Sequence, residues 1–231
     1  MLDIIIPAYN PGRYLEECLS SCFSQTYEEE YLVTVVDDGS SEDIEELAGP
    51  YLDRIQLIKL SENKGPAAAR NAGIRATKAD LILFQDADDY MSENRLELTS
   101  KMFCQNPELV MVCGNFRWQI EGKVTPLCFT TPPEIYYATL LIHFPINTST
   151  VGVTRSVLKA TGLFDESYPV AEDYDLWMRI TKQYPEQIGY IAEQLSLYNW
   201  CSTESSLTKK YRRTPAYQQI LAQISKKYGA I

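Results

Sequence analysis

The sequence predicts an α/β fold with a mostly parallel central sheet flanked by helices, and three stretches predict it. Asp3-Ile4-Ile5-Ile6 runs into Pro7-Ala8-Tyr9-Asn10, Tyr31–Val36 into Asp37-Asp38-Gly39-Ser40, and Leu81-Ile82-Leu83-Phe84 into Gln85-Asp86-Ala87-Asp88-Asp89. Each apolar, β-branched run reads as a buried strand. Each stops at a polar loop that a helical pattern follows. Repeated strand–loop–helix units build a parallel sheet with those loops on one edge. Ligands of open α/β sheets bind outside the carboxyl ends of the strands. Asp38 and Asp88 or Asp89 are therefore expected to face a common crevice.

The elements follow in order. Leu15, Cys18, Leu19, Cys22 and Phe23 recur at helical spacing, which lays a helix over 13–24 on the sheet. Residues 41–47 read as a short helix with a Ser or Asp cap, and Ile55–Lys59 as the next strand. Gly65 opens an Ala-rich helix running to about Thr77. Ser92 is expected to cap a helix over 93–104, which Pro107 ends. Residues 108–129 have strand-like composition, with a turn at Glu121-Gly122-Lys123. An apolar helix is expected over 134–142, in a segment where Pro132, Pro133, Tyr136, Tyr137, Phe144 and Pro145 change the texture of the chain. Leu176, Trp177 and Ile180 mark a helix that starts near Asp173. Ile220, Leu221 and Ile224 mark an amphipathic C-terminal helix over 214–228, either packed or self-associating. No internal repeat, low-complexity tract or linker divides 1–231, so one domain is expected.

Composition narrows the function. With 231 residues, 45% of them hydrophobic, one sizeable core is expected and two full domains are not. A net charge of −10 argues against a nucleic-acid partner, because phosphate backbones are held by clustered Lys and Arg. The six cysteines lack CxxC spacing and His143 is the only histidine, so zinc is not expected. A strand is read almost from the first residue, so no leader peptide is expected, and no apolar run reaches the ~18–20 residues of a spanning helix. The cytoplasm, with contact at the inner face of the membrane open, is the expected location. The basic cluster Lys209-Lys210-Tyr211-Arg212-Arg213 with the stretch 135–146 leaves a peripheral membrane contact open, against a solvated charge run.

The chemistry concentrates in Asn63–Asp89. Carboxylates crowded at a strand end repel one another unless a cation or a donor-rich ligand stands between them. Mg2+ or Mn2+ carrying a diphosphate suits such a place, since these ions take oxygen ligands from few carboxylates and from phosphate. An acidic solvated loop is the plainer alternative.

IIIPAYN, VVDDGS, NKGPAAARNAGI, DADD and AEDYDLWMRI, in that order from Ile4 to about Arg179, resemble the inverting family 2 glycosyltransferases of GT-A fold. The resemblance implies a Rossmann-like sheet, a smaller acceptor-side sheet and a C-terminal helix. Residues 1–105 would form the nucleotide-sugar half and 106–231 the acceptor half. It implies a nucleotide-sugar donor, a UDP-sugar if Asp38 pairs with uracil, and a glycan or lipid-linked acceptor in cell-surface polysaccharide synthesis. Asp89 is expected as the direct ligand of Mn2+ or Mg2+, and Asp88 at the ribose. Asp86 would orient the loop or the sugar, and Pro7 and Tyr9 would wall the base. Asp37 is expected to be structural. Arg70 would pair with the diphosphate or brace the base, the alternative being a helix-surface ion pair. Asp173 matches the general-base position, although a helix N-terminus favours an acid there for its own sake. Asp175 and Arg179 are expected to form a helix-surface pair, and Glu172 stays open between acceptor contact and loop support.

One departure from the family matters. The Gln-x-x-Arg-Trp signature of polymerising members is missing, and Leu197-Tyr198-Asn199-Trp200 stands where many single-addition members carry Arg or His. Single addition is therefore expected. A catalytically silent nucleotide-sugar-binding protein is the alternative. A metal-dependent phosphohydrolase would need a nucleophilic Asp after the first strand, where Pro7-Ala8-Tyr9-Asn10 stands.

Overall fold

The structure is a computed structural model that describes residues 1–129, 140, 146–200, 210–211 and 214–229. Strands β1 (Leu2–Ala8), β2 (Tyr31–Asp37), β3 (Gln56–Lys59) and β4 (Leu81–Phe84) pair in parallel in the order β3-β2-β1-β4. Helices α1 (Tyr14–Phe23), α2 (Ile44–Ala48) and α3 (Pro66–Ala76) lie in the connections. Alternation along β1 sends Ile4 and Ile6 to the side of Leu15, Cys18 and Leu19, and Ile5 to the side of Ala67 and Ile74. Gly73 lets α3 come close, since a Cβ there would stand 2.7 Å from Ile5 Cγ2.

Past β4 the sheet continues with mixed pairing, antiparallel except between two of its strands. β8 (Gly152–Thr154) joins β4 to β6 (Met111–Ile120), β6 pairs in parallel with β9 (Ile188–Asn199), and β9 pairs with β5 (Tyr90–Met91). The strands of the second half thus extend the first sheet, to nine strands among the described residues. A two-residue turn with positive φ at Glu121 and Gly122 leads into β7 (Lys123–Val124), as the turn signal predicts.

Helix α4 (Arg95–Gln105) starts later than expected. Ser92 does not cap it; its carbonyl accepts the Arg95 N–H instead, and Asn94 is the boundary residue. The expected helix over 134–142 lies outside the described residues apart from the buried Leu140. Lys209, Arg212 and Arg213 of the basic cluster lie outside them too.

Helix α5 (Arg155–Thr161) follows β8, and α6 (Glu172–Gln183) packs Trp177 against Phe84 and Phe164, with ring centroids 5.9 and 5.8 Å apart. The last helix, α7 (Pro215–Tyr228), buries Ile224 and Tyr228 against α6, so the open choice resolves toward packing. The Asp175–Arg179 pair is therefore not at the surface. Asp175 is fully buried, and its carboxylate accepts Arg179 Nε at 2.9 Å, Lys227 Nζ at 2.8 Å and Tyr228 OH at 2.8 Å. Spacing within α6 could not show a partner some fifty residues away. Asp175→Asn removes the charge that anchors two cations, which are themselves partly solvated, and should cost about 2–3 kcal/mol in urea unfolding.

Candidate active site

The carboxyl ends of β1, β2 and β4 open onto one cleft of about 1290 Å³. Pro7, Tyr9, Asp38, Arg70, Asp86, Asp88 and Asp173 all stand on its walls. Six of the seven residues expected at the site, all but Asp89, are thus brought together, with Asp86 added.

Asp38 is buried at the end of β2, and its two oxygens accept the N–H groups of Lys64 and Gly65, both at 2.8 Å. Burial raises its carboxyl above the usual range while these amides pull it down. It therefore shapes the loop that leads into α3 as well as facing the cleft. A carboxylate offers about four acceptor positions, so two amides leave capacity for a ligand N–H. Asp37 accepts Ser40 N–H at 2.9 Å and turns the loop, as expected of a structural residue. Gly39 (φ +70°) is required at that turn, because a Cβ would stand 2.5 Å from the backbone of Glu62.

Asp89, expected as the direct metal ligand, is turned away from the cleft. It is 1% exposed, accepting Ser149 Oγ at 2.6 Å on one oxygen and Asn199 N–H at 2.9 Å on the other. Burial, with Asp88 and Asp86 nearby, pushes its carboxyl well up. The physical reason is local: Asp89 N–H bonds Asp86 C=O at 3.1 Å, a tight turn that sends successive side chains in different directions. Asp86 and Asp88 face the cleft; Asp89 ties the loop to the turn at Thr148–Thr150 and to the end of β9.

Arg70 is not on a helix surface. It is buried, donating to Asp86 Oδ1 at 2.7 Å and to Glu172 Oε1. Burial opposes its charge, but Asp86, Glu172 and Asp173 hold its pKa above the ordinary arginine value. The guanidinium thus joins the acid loop to the start of α6. Asp173, second residue of α6, accepts Thr148 Oγ1 at 2.8 Å and its neighbour's Tyr174 N–H at 2.7 Å. Ala171 before it adopts a left-handed conformation (φ +62°), uncommon for a residue with a Cβ and concentrated at functional sites in general.

Burial pushes the Glu172 carboxyl up to about 7, against the pull of Arg70 and with the charge of Asp173 adding to the rise. Its folded value lies above the unfolded one, so between the two the folded chain binds the extra proton. Stability is then fullest below about pH 4.5 and declines as pH rises to about 7. Burial raises Asp3 and Asp38 in the same sense. The melting temperature should fall by several degrees from about pH 5 to pH 8, and Glu172→Gln should flatten that slope.

The sequence profile of glycosyl transferase family 2 matches residues 3–159. The chain belongs to that family. It is 32% identical over 183 residues to the Escherichia coli UDP-Glc:alpha-D-GlcNAc-diphosphoundecaprenol beta-1,3-glucosyltransferase WfaP, covering 78% of this chain and 70% of that one. Staphylococcus aureus TarS in complex with UDP-GlcNAc superposes with a TM-score of 0.79 at 21% identity, over 96% of this chain and 65% of that one. The mannosyltransferase PcManGT of Pyrobaculum calidifontis, solved with GDP-Man and Mn2+, gives 0.65 at 19% identity, over 90% of this chain and 59% of that one. The chain spans 58–75% of the length of four curated relatives.

Among the described residues no three acidic, His or Cys side chains form a self-contained metal cage. What the cleft wall offers is Asp86 and Asp88, two hard oxygen donors. That set fits an ion that keeps waters and takes its other ligands from phosphate oxygens. Asp88, and not Asp89, is the second acid that the loop presents to the cleft.

Sequence reasoning missed three polar residues of the site. Thr148 and Ser149, in a segment read only as acceptor-side, bind Asp173 and Asp89. Arg95 is fully buried behind the acid loop, donating to Gln85 Oε1 at 2.7 Å and Phe84 C=O at 2.9 Å, and burial lowers its pKa to about 10. No local pattern marks these residues, because each acts through partners distant in sequence.

Proposed function

We propose that this chain transfers one sugar at a time, with inversion, from a UDP-sugar to a hydroxyl of a glycan or lipid-linked acceptor. The observation that carries the reading is the convergence of Asp38, Asp86, Asp88 and Asp173 on one cleft. Asp38 would accept the ring N–H of uracil on its remaining lone pairs, with Pro7 and Tyr9 packed on the base. Asp86 and Asp88 would hold the ribose and a divalent cation, Mn2+ or Mg2+, which when bound neutralises the departing diphosphate. Asp173 would take the proton of the attacking hydroxyl, its carboxylate steered by Thr148 and kept apart from Asp86 by Arg70. The UDP-Glc donor and the diphosphoundecaprenol-linked acceptor for which the Escherichia coli relative WfaP is named support these substrate classes. A lipid-linked acceptor would put the enzyme at the cytoplasmic face of a membrane, in surface glycan synthesis.

Calorimetric titration with UDP in Mn2+, Mg2+ and EDTA tests the donor half. Binding should be saturable with either metal and weaken at least tenfold in EDTA. Equal affinity in all three buffers would overturn the cation reading, and no binding in any would overturn the nucleotide reading.

A further inference from the structure

The cleft that carries the acid loop is also lined by a wall of aromatic rings that the donor chemistry does not use. Trp118 of β6 and Tyr198 of β9 lie opposite each other in the parallel pairing of those strands, their ring centroids 4.9 Å apart. Trp200 N–H bonds Gln119 C=O at 2.9 Å, and this sets the third ring 5.3 Å from Trp118. Phe116 backs Trp118 at 5.7 Å. All four rings line the same cleft as Asp173. The three outer rings are half-buried rather than sealed in the core.

From this arrangement we infer that Trp118, Tyr198 and Trp200 form the subsite for a neutral pyranose ring of the acceptor. The inference rests on the transferase reading and names the substrate class for its acceptor side. Aromatic faces carry partial negative charge and attract positively polarised edges. A pyranose offers such edges as the C–H bonds of its faces, and hydroxyls around its rim. Other walls of the cleft carry Asp86, Asp88, Glu166 and Asp173. An isoprenoid chain laid there would strip water from those acids at high cost, and an anionic sugar would be repelled by them. A neutral hydroxylated ring satisfies both sides.

The position is fixed by Asp89. Asn199, between Tyr198 and Trp200, donates its N–H to that buried carboxylate. The aromatic wall is thereby pinned to the loop that carries Asp86 and Asp88, and its distance from the donor side is set by a hydrogen bond.

The chain has three tryptophans, and Trp177 is fully buried, so emission changes report on Trp118 and Trp200. Intrinsic fluorescence is titrated with methyl α-N-acetylglucosaminide in the presence of UDP and Mn2+, and separately with octanol. A saturable change with the glycoside and none with octanol is expected. Calorimetric binding of the glycoside should be lost in the Trp118→Ala/Trp200→Ala double variant and weaken about tenfold in Tyr198→Ala, while calorimetric UDP affinity stays within about twofold. No response to the glycoside, an equal response to octanol, or loss of UDP binding in Tyr198→Ala would each overturn the subsite. Wild-type binding of UDP is read separately, so failure of the donor reading is distinguishable from failure of the aromatic one.

Discussion

Asp173→Asn is expected to lower sugar transfer by about 10²–10⁴-fold, the range that a positioned general base contributes, while UDP affinity changes less than about twofold. The amide keeps an oxygen to accept Thr148 Oγ1, which the carboxylate accepts at 2.8 Å, so the fold around α6 should survive. What the amide cannot do is take a proton. The comparison is therefore between intact binding, measured by calorimetry, and lost turnover, measured as UDP release in the presence of acceptor. A variant that keeps more than about a tenth of its turnover would remove Asp173 from the base role. The cap interpretation would then suffice.

The second large effect separates two neighbours. Asp88→Ala should abolish the metal dependence of UDP binding, reducing affinity in Mn2+ to the level seen in EDTA, with little change in stability. Asp89→Ala should act the other way. It leaves the Ser149 hydroxyl and the Asn199 N–H without their buried acceptor, a loss of about 1–3 kcal/mol for each unmet group. Thermal unfolding of the two variants, side by side with UDP titrations in Mn2+, distinguishes the roles. If Asp89→Ala melts like the wild type yet loses metal dependence, the assignment of the cation to Asp88 is wrong.

Much of the fold was legible because it is written locally. Four apolar runs, each stopped by a polar loop, specify β1 to β4, and the parallel order follows from the helices between them. A crevice shared by Asp38 and the acid loop was legible for the same reason, since strand ends on one sheet edge share it, whereas Asp173, at the start of a helix, entered only through the family resemblance. The aim of each carboxylate was not. Asp88 and Asp89 differ by one position in a turn, where the two-residue alternation of a strand no longer applies. Arg70 and Asp175 misled in a common way. Asp175, and Arg70 under one of its two readings, looked like a solvated helix charge because its partners, Lys227 with Tyr228 for the first and Glu172 for the second, lie far along the chain. Burial of a charge is a tertiary property, and helical spacing carries no trace of it.

The guanidinium shared by Asp86 and Glu172 makes the two ends of the cleft accountable to one another. A donor complex that draws Asp86 toward its own positive charge leaves Arg70 more fully to Glu172, beside Asp173. By thermodynamic reciprocity, any ligand at the Asp173 end that alters that pairing must change donor affinity by the same factor. Any coupling between donor and acceptor binding would then pass through one buried cation.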